Sequence, residues 1–173
     1  MVMASCESNV TKDQNEQETK ATITTQAQPL VDGLYLITGI DTIENKLSPL
    51  ATNETAIFFS KLFDDYNTEE YLRIIIDSTQ FVPIQLGQAP TTEQQTDSKK
   101  KLLLSFTKSA SEKLKVFTAN HVMDRVVLVV NGEGLTMHKI REPITSGQLQ
   151  ITRCNDNACE KLFVSLSEDV VSE

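Results

Sequence analysis

The chain has 173 residues, 39% of them hydrophobic and 23% charged, with a formal net charge of −8. That is enough sequence for one domain with a core of its own. An acidic chain with no Trp and only 6% aromatics has neither the positive surface nor the stacking platform of a nucleic-acid binder, and it is poorly suited to an anionic membrane surface.

Residues 1–28 carry almost no hydrophobic pattern. Asn9 to Gln28 is rich in Thr, Gln, Asn, Glu and Lys, with Val10 and Ile23 as its only large aliphatics. Such a stretch cannot bury enough surface to offset its ordering entropy, so a flexible tether is expected. At its head stands Met3-Ala4-Ser5-Cys6. Small residues before a cysteine and a polar stretch after it match the end of a bacterial lipoprotein signal, with Cys6 as the lipidated residue. The apolar segment that should precede such a cysteine is not in the sequence. Either it is encoded upstream or it has been removed. The alternative is an ordinary N-terminus with a stray cysteine.

One domain is expected over residues 29–167. Gly33 to Ile40 alternates Leu34, Leu36 and Thr38 with Tyr35, Ile37 and Gly39, a strand with both faces partly covered. Asn53 is placed to cap a helix over about Glu54 to Tyr66. Leu72 to Asp77 and Phe81 to Leu86 read as two strands around a Ser78-Thr79 turn, with Pro83 assigning the second to a sheet edge. Gly87 to Ser98 is polar and reads as a loop. Lys101 to Phe106 is again a strand. The cluster Lys99-Lys100-Lys101 reads as a solvated strand edge, with a docking patch as the alternative.

Ser109 and Glu112 have the spacing of a capping box. The helix they would start lines up Ala110, Leu114, Phe117 and His121. Val126 to Val130 is a run of aliphatics, mostly β-branched, which suits a buried strand. Asn131-Gly132 follows, the pair best able to take the positive φ values of a type I′ hairpin turn, and Gly134 can absorb a bulge. Leu135 to Ile140 forms the return strand. Pro143 breaks it, Ser146-Gly147 turns the chain, and Leu149 to Ile151 forms another strand. Asn155 or Asp156 caps a last helix whose inner face is Ala158 or Cys159, Leu162, Phe163 and Leu166, and residues 168–173 form a frayed acidic tail. Interleaved strands and helices without a repeated βαβ crossover predict an α+β fold, a mainly antiparallel sheet with two to three helices packed on one face.

The stretch from about Ser109 to Thr152 resembles the first periplasmic head subdomain of SecD, part of the bacterial SecDF translocation motor. The residues that carry the resemblance are Phe117-Thr118, Val126 to Val130, Asn131-Gly132, Ile140-Arg141-Glu142-Pro143-Ile144, Gly147 and Gln150-Ile151. Two positions depart from the family. Asn131 stands where an aspartate is usual, which preserves the turn, and His138 stands where a proline is usual. SecD also has transmembrane helices, and no run of this sequence is long and apolar enough for one. The resemblance, taken over residues 100–167, implies a polypeptide-binding module without the proton-driven motor, since proton coupling needs ionisable groups inside a membrane. It implies a periplasmic or surface-facing location at the cell envelope, the membrane being reached only through a lipid anchor.

Candidate chemistry is sparse. Cys154 and Cys159 can close a short disulfide worth about 2 kcal/mol in the chain-entropy model. The alternatives are two free thiols, or a zinc site that would recruit His121 and His138. No nucleophile elbow, phosphate-cradling loop or His-Glu-x-x-His helix is present, so no catalytic residue and no cofactor is assigned. Asp64-Asp65 and Glu69-Glu70 read as solvated faces. Arg141, Glu142, Pro143 and Gly147 form the candidate partner-binding loop. Arg141 and Glu142 would either touch a polypeptide or hold the loop shut through backbone hydrogen bonds. The exposed edge Phe81 to Leu86 offers strand addition. The leading expectation is a non-enzymatic binding domain, the second a structural or self-associating envelope lipoprotein, and the third a zinc-dependent enzyme.

Overall fold

A computed structural model describes residues 30–42, 44, 47–60, 71–96, 99–154, 156–168 and 170. Cys6, the tether and the acidic pairs at 64–65 and 69–70 lie outside the described residues.

The first sheet is built on β1 (Gly33–Thr42), which pairs antiparallel with β3 (Tyr71–Pro83) on one side and β6 (Arg125–Val130) on the other. β2 (Glu54–Ile57) and β7 (Glu133–Lys139) complete the order β2-β3-β1-β6-β7. Its two outer strands also meet. Gly134 N donates to Phe58 O and Ser60 N donates to Gly134 O, both at 2.8 Å, so the sheet curls back on itself. The junction is tight: a Cβ at 134 would lie 3.1 Å from both Ile74 Cδ1 and Val127 Cγ2, so a larger residue would require those side chains to shift. Tyr35, Ile57, Ile74, Ile76, Val127 and Val129 fill the inside of the curl.

Leu34, Val126, Leu128 and Val130 point the other way, into a larger core. β6 and the start of β1 are therefore buried on both faces, which is why Val126 to Val130 can be aliphatic at every position. The second layer comprises β4 (Thr91–Thr96), β5 (Lys99–Ser105), α1 (Lys108–Asn120), β8 (Gln148–Cys154) and α2 (Asp156–Ser167). β4, β5 and β8 form a three-stranded antiparallel sheet in that order. Leu102, Leu104 and Ile151 from this sheet, Ala110, Leu114 and Phe117 from α1, and Cys159, Leu162 and Leu166 from α2 close the larger core. The fold is α+β with sheets predominating, and two helices are found among the described residues.

Five expectations need correction. Glu54 to Ile57 is a strand, not the start of a helix. Ile57 pairs with Ile74 and fills the curl, and Asn53 turns its side-chain amide to Asp77 Oδ2 (2.8 Å) instead of capping. Ser78-Thr79 is no turn, because β3 runs through it. Between Tyr35↔Phe81 and Ile37↔Ile76 the extra residues bulge out of β3, and Asp77 Oδ1 accepts from Thr79 N and Oγ1 to shape the bulge. The stretch 87–98 contains β4, whose Thr and Gln side chains hide it from a hydrophobic pattern search. Lys101 belongs to the central strand of its sheet and pairs with Glu93 at 2.6 Å rather than lining an edge. The cap of α1 is Thr107 rather than Ser109. Its hydroxyl accepts from Ala110 N at 3.2 Å, and Ala110 at the third helical position leaves no capping box.

Candidate functional site

Asn131 (φ 53°) and Gly132 (φ 76°) both take left-handed conformations between the paired residues Val130 and Glu133, as a type I′ turn requires. A bulge follows where the partner of Leu128 is Thr136 and that of Val129 is Gly134. Two contacts seat the turn: Asp32 Oδ1 accepts from Asn131 N at 2.7 Å, and Asn131 Nδ2 donates to Ser165 Oγ of α2 at 3.0 Å. Burial raises the pKa of Asp32, and the Asn131 amide partly offsets this.

Beyond β7 the chain enters the loop through Ile140, which is buried. Ile140 N donates to Asp124 O (2.9 Å), and Ile140 O accepts from Met123 N (2.7 Å). The loop is held again at Ile144, whose N donates to Thr118 Oγ1 at 2.9 Å. Thr118 is fully buried, and its hydroxyl proton goes to Leu114 O at 2.8 Å in the helix behind. The third anchor is Gly147, whose carbonyl accepts from Phe106 N at 3.0 Å. Gly147 has φ 67°, and a Cβ there would collide with Ser111 Oγ.

Arg141, Glu142 and Pro143 are exposed between these anchors. Neither charged side chain has a hydrogen-bond or ion-pair partner among the described residues. The loop backbone is held through Ile140, Thr118 and Gly147. Sequence reasoning picks out Thr118 only as part of a motif, without its anchoring role. The signal that could have found that role is a hydroxyl on the apolar side of α1 beside Phe117.

Under the loop lies an open hollow of about 300 Å³. Leu34 and Val126 from the core reach it, Ile140, Ile144 and Leu149 wall it, and His138, Lys139, Arg141, Glu142 and Gln150 stand around it. Desolvation lowers the pKa of His138, favouring the neutral ring. Lys139 and Arg141 carry fixed positive charge here, and Arg125 is the cross-strand partner of Lys139. Like charges placed directly opposite one another disfavour the pairing, and none of the three cations has an ion-pair partner among the described residues.

The strand expected at Phe81 to Leu86 is paired along its β1 side, and its far end is covered. Phe81 to Pro83 pairs with β1, Ile84 N donates to Asp32 O (2.8 Å), and Gln85 O accepts from Thr107 N (2.9 Å). Leu86 bridges to Phe106 and Val170. Of the other candidate residues, His121 caps the C-terminus of α1, with Nδ1 3.1 Å from Asp124 Oδ2 and its ring against Phe117. Cys159 is buried and disulfide-bonded, and the side chain of Cys154 lies outside the described residues. No cluster of three or more His, Cys, Asp or Glu able to hold a metal ion occurs among the described residues.

Solved structures of SecDF are similar to part of this chain. One, a crystal structure of SecDF in its super-membrane-facing form, matches 49% of this chain at 22% identity with a TM-score of 0.41, and 12% of its own chain is covered. Another, of SecDF as a membrane component that enhances protein export, matches 49% at 22% identity with a TM-score of 0.42, and 40% of its chain is covered. The matched part of this chain thus covers less than half of either. No protein-family model and no curated protein matches the sequence. No helix among the described residues is long and apolar enough to cross a membrane.

Proposed function

We propose that this chain is a non-enzymatic, envelope-exposed protein-binding domain that engages a polypeptide through the loop Arg141–Gly147 and the hollow beneath it. The observation that carries this reading is a mismatch within the loop. Its backbone is fixed at Ile140, Ile144 and Gly147, whereas Arg141 and Glu142 are exposed without partners among the described residues. Fixing a loop beforehand lowers the entropy cost of binding, and unpaired charges on a stiff support are available to a partner. The sequence resemblance of Ser109 to Thr152 to the SecD head supports a polypeptide, translocating or secreted, as that partner. Lipidation at Cys6 would keep the domain at the envelope without a membrane-spanning segment.

A photoreactive amino acid placed at Arg141 in the full chain, in cells, tests the reading. Adducts with other polypeptides are expected from 141 and from Glu142, and not from Gln94 on the polar strand β4. Adducts only between copies of this chain would favour a self-associating structural role, and no adducts at 141 or 142 would remove the binding role.

A further inference from the structure

Sheet edges distinguish one surface of this molecule from the rest. The first sheet's outer strands meet at one point, Gly134, and β2 covers β3 only over Ile74–Asp77. In the second sheet β4 is an edge, but it is polar along its length, bulged between Gln94 and Thr96, and crossed by the Lys101–Glu93 ion pair. Those are devices that blunt an edge. The other edge is β8, and it opens onto the hollow.

The register shows which backbone groups β8 presents there. Phe106 N donates to Gly147 O, and the facing pairs that follow are Ser105–Gln148, Leu104–Leu149 and Leu103–Gln150. In an antiparallel ladder, hydrogen-bonded and non-bonded pairs alternate. Leu149 therefore bonds inward to β5, while Gln148 and Gln150 turn their N–H and C=O groups outward. Gln148 N is taken up by Ser146 Oγ at 3.3 Å. Gln150 keeps an outward donor and acceptor beside the apolar wall formed by Leu149 and Ile144. The charges nearby are Lys139 and Arg141 on the rim, Arg125 across from Lys139, and the single acid Glu142. On a chain of net charge −8, this is a local excess of positive charge.

We propose that the outer edge of β8 takes an extended acidic segment of another polypeptide as an added strand. Backbone pairing with Gln150 sets its register. Alternate side chains, being apolar, enter the hollow against Ile144 and Leu149, and carboxylates meet Lys139 and Arg141. Strand addition supplies affinity from main-chain hydrogen bonds and selectivity from alternate side chains. The proposal rests on the loop as the polypeptide-binding surface and adds the partner's charge and conformation.

Three labelled ten-residue peptides test it by fluorescence anisotropy on the whole chain: valine alternating with aspartate, with serine, and with lysine. The aspartate peptide is expected to bind about tenfold tighter than the lysine peptide at low salt, with the ratio shrinking as salt rises. N-methylation of alternate backbone nitrogens of the aspartate peptide should abolish its binding, and this control leaves the protein untouched. The exposed substitutions K139E and R141E together should reverse the charge preference. Q150P, which removes the outward N–H and also fixes φ at 150, should weaken all three peptides while thermal unfolding shows the fold intact. Equal affinities, or indifference to N-methylation, would overturn the acidic added strand and leave the loop reading standing. If none of the three binds and position 141 gives no crosslinks, both readings fall.

Discussion

Thr118 shows how much of the loop depends on one hydroxyl. It donates to Leu114 O and accepts from Ile144 N, in a site closed to water. Thr118→Val keeps the shape and removes both bonds, leaving the Ile144 amide without its acceptor, so a loss of roughly 1–3 kcal/mol is expected. Amide exchange at Ile144 should accelerate more than at Leu128 in the core, and Thr118→Ser should restore protection. Unchanged exchange at Ile144 would mean that the loop is held by something else. The two turn glycines separate backbone conformation from space. Gly132 has positive φ, and a Cβ added there would meet nothing within 4 Å, whereas Gly147 has positive φ and Ser111 Oγ in the way. Gly132→Ala should cost about 1 kcal/mol for conformation alone. Gly147→Ala should cost clearly more in a denaturant titration, and equal losses would contradict the close packing at 147.

Among the elements, the far end of β1 is held by a polar clamp. Asp41 Oδ2 lies 2.6 Å from Arg73 Nε, Oδ1 accepts from Ser48 Oγ at 2.6 Å, and Arg73 Nη2 donates to Ser48 O. The Ser48 hydroxyl first, and then Arg73, lower the pKa of Asp41. Asp77 is also lowered: burial alone would raise it, but hydrogen bonds from Thr79 and Asn53 outweigh that. A carboxylate whose folded pKa lies below its unfolded value contributes stability above the unfolded pKa and loses it as pH falls through the folded one. Stability supplied by Asp41 and Asp77 should therefore fade below the ordinary aspartate value of 3.8. Asp32 has the opposite sign. Its raised pKa means that ionisation costs stability as pH climbs above 3.8. Asp41→Asn should lower the melting temperature at pH 7 and flatten the acid limb, whereas Asp32→Asn, still able to accept from Asn131, should hold or raise it. The same direction for both variants at pH 7 would contradict these assignments.

The hairpin β6–β7 is legible in the sequence because Asn-Gly and an aliphatic run are local signals that tertiary structure has no reason to override. β8 and α2 are legible for similar reasons, as apolar residues at the right period with Ser-Gly or Asp before them. β2 is not, because Asn53 and the pattern from Glu54 fit a helix equally well, and the pairing of Ile57 with Ile74 is a long-range contact that no window contains. β4 is hidden because an exposed polar edge carries no hydrophobic period. In the candidate site, Arg141 to Gly147 can be named from the sequence. The anchors on α1 and the open edge of β8 cannot, since both come from how two sheets and a helix meet.

At the scale of the molecule, two layers share β1 and β6. One face fills the curl, and the other packs against the helices and the second sheet. That arrangement gives the loop a stiff base, because Ile140 follows the strand β7 and Gly147 precedes β8. We propose the loop as the binding surface. Titration of the ¹⁵N-labelled protein with an unfolded acidic polypeptide, followed by amide chemical shifts, tests it most directly. The expected result is a set of saturable shifts confined to Lys139–Gly147 and Leu149–Gln150. Shifts centred on β4 or scattered over the surface, with the loop silent, would contradict it.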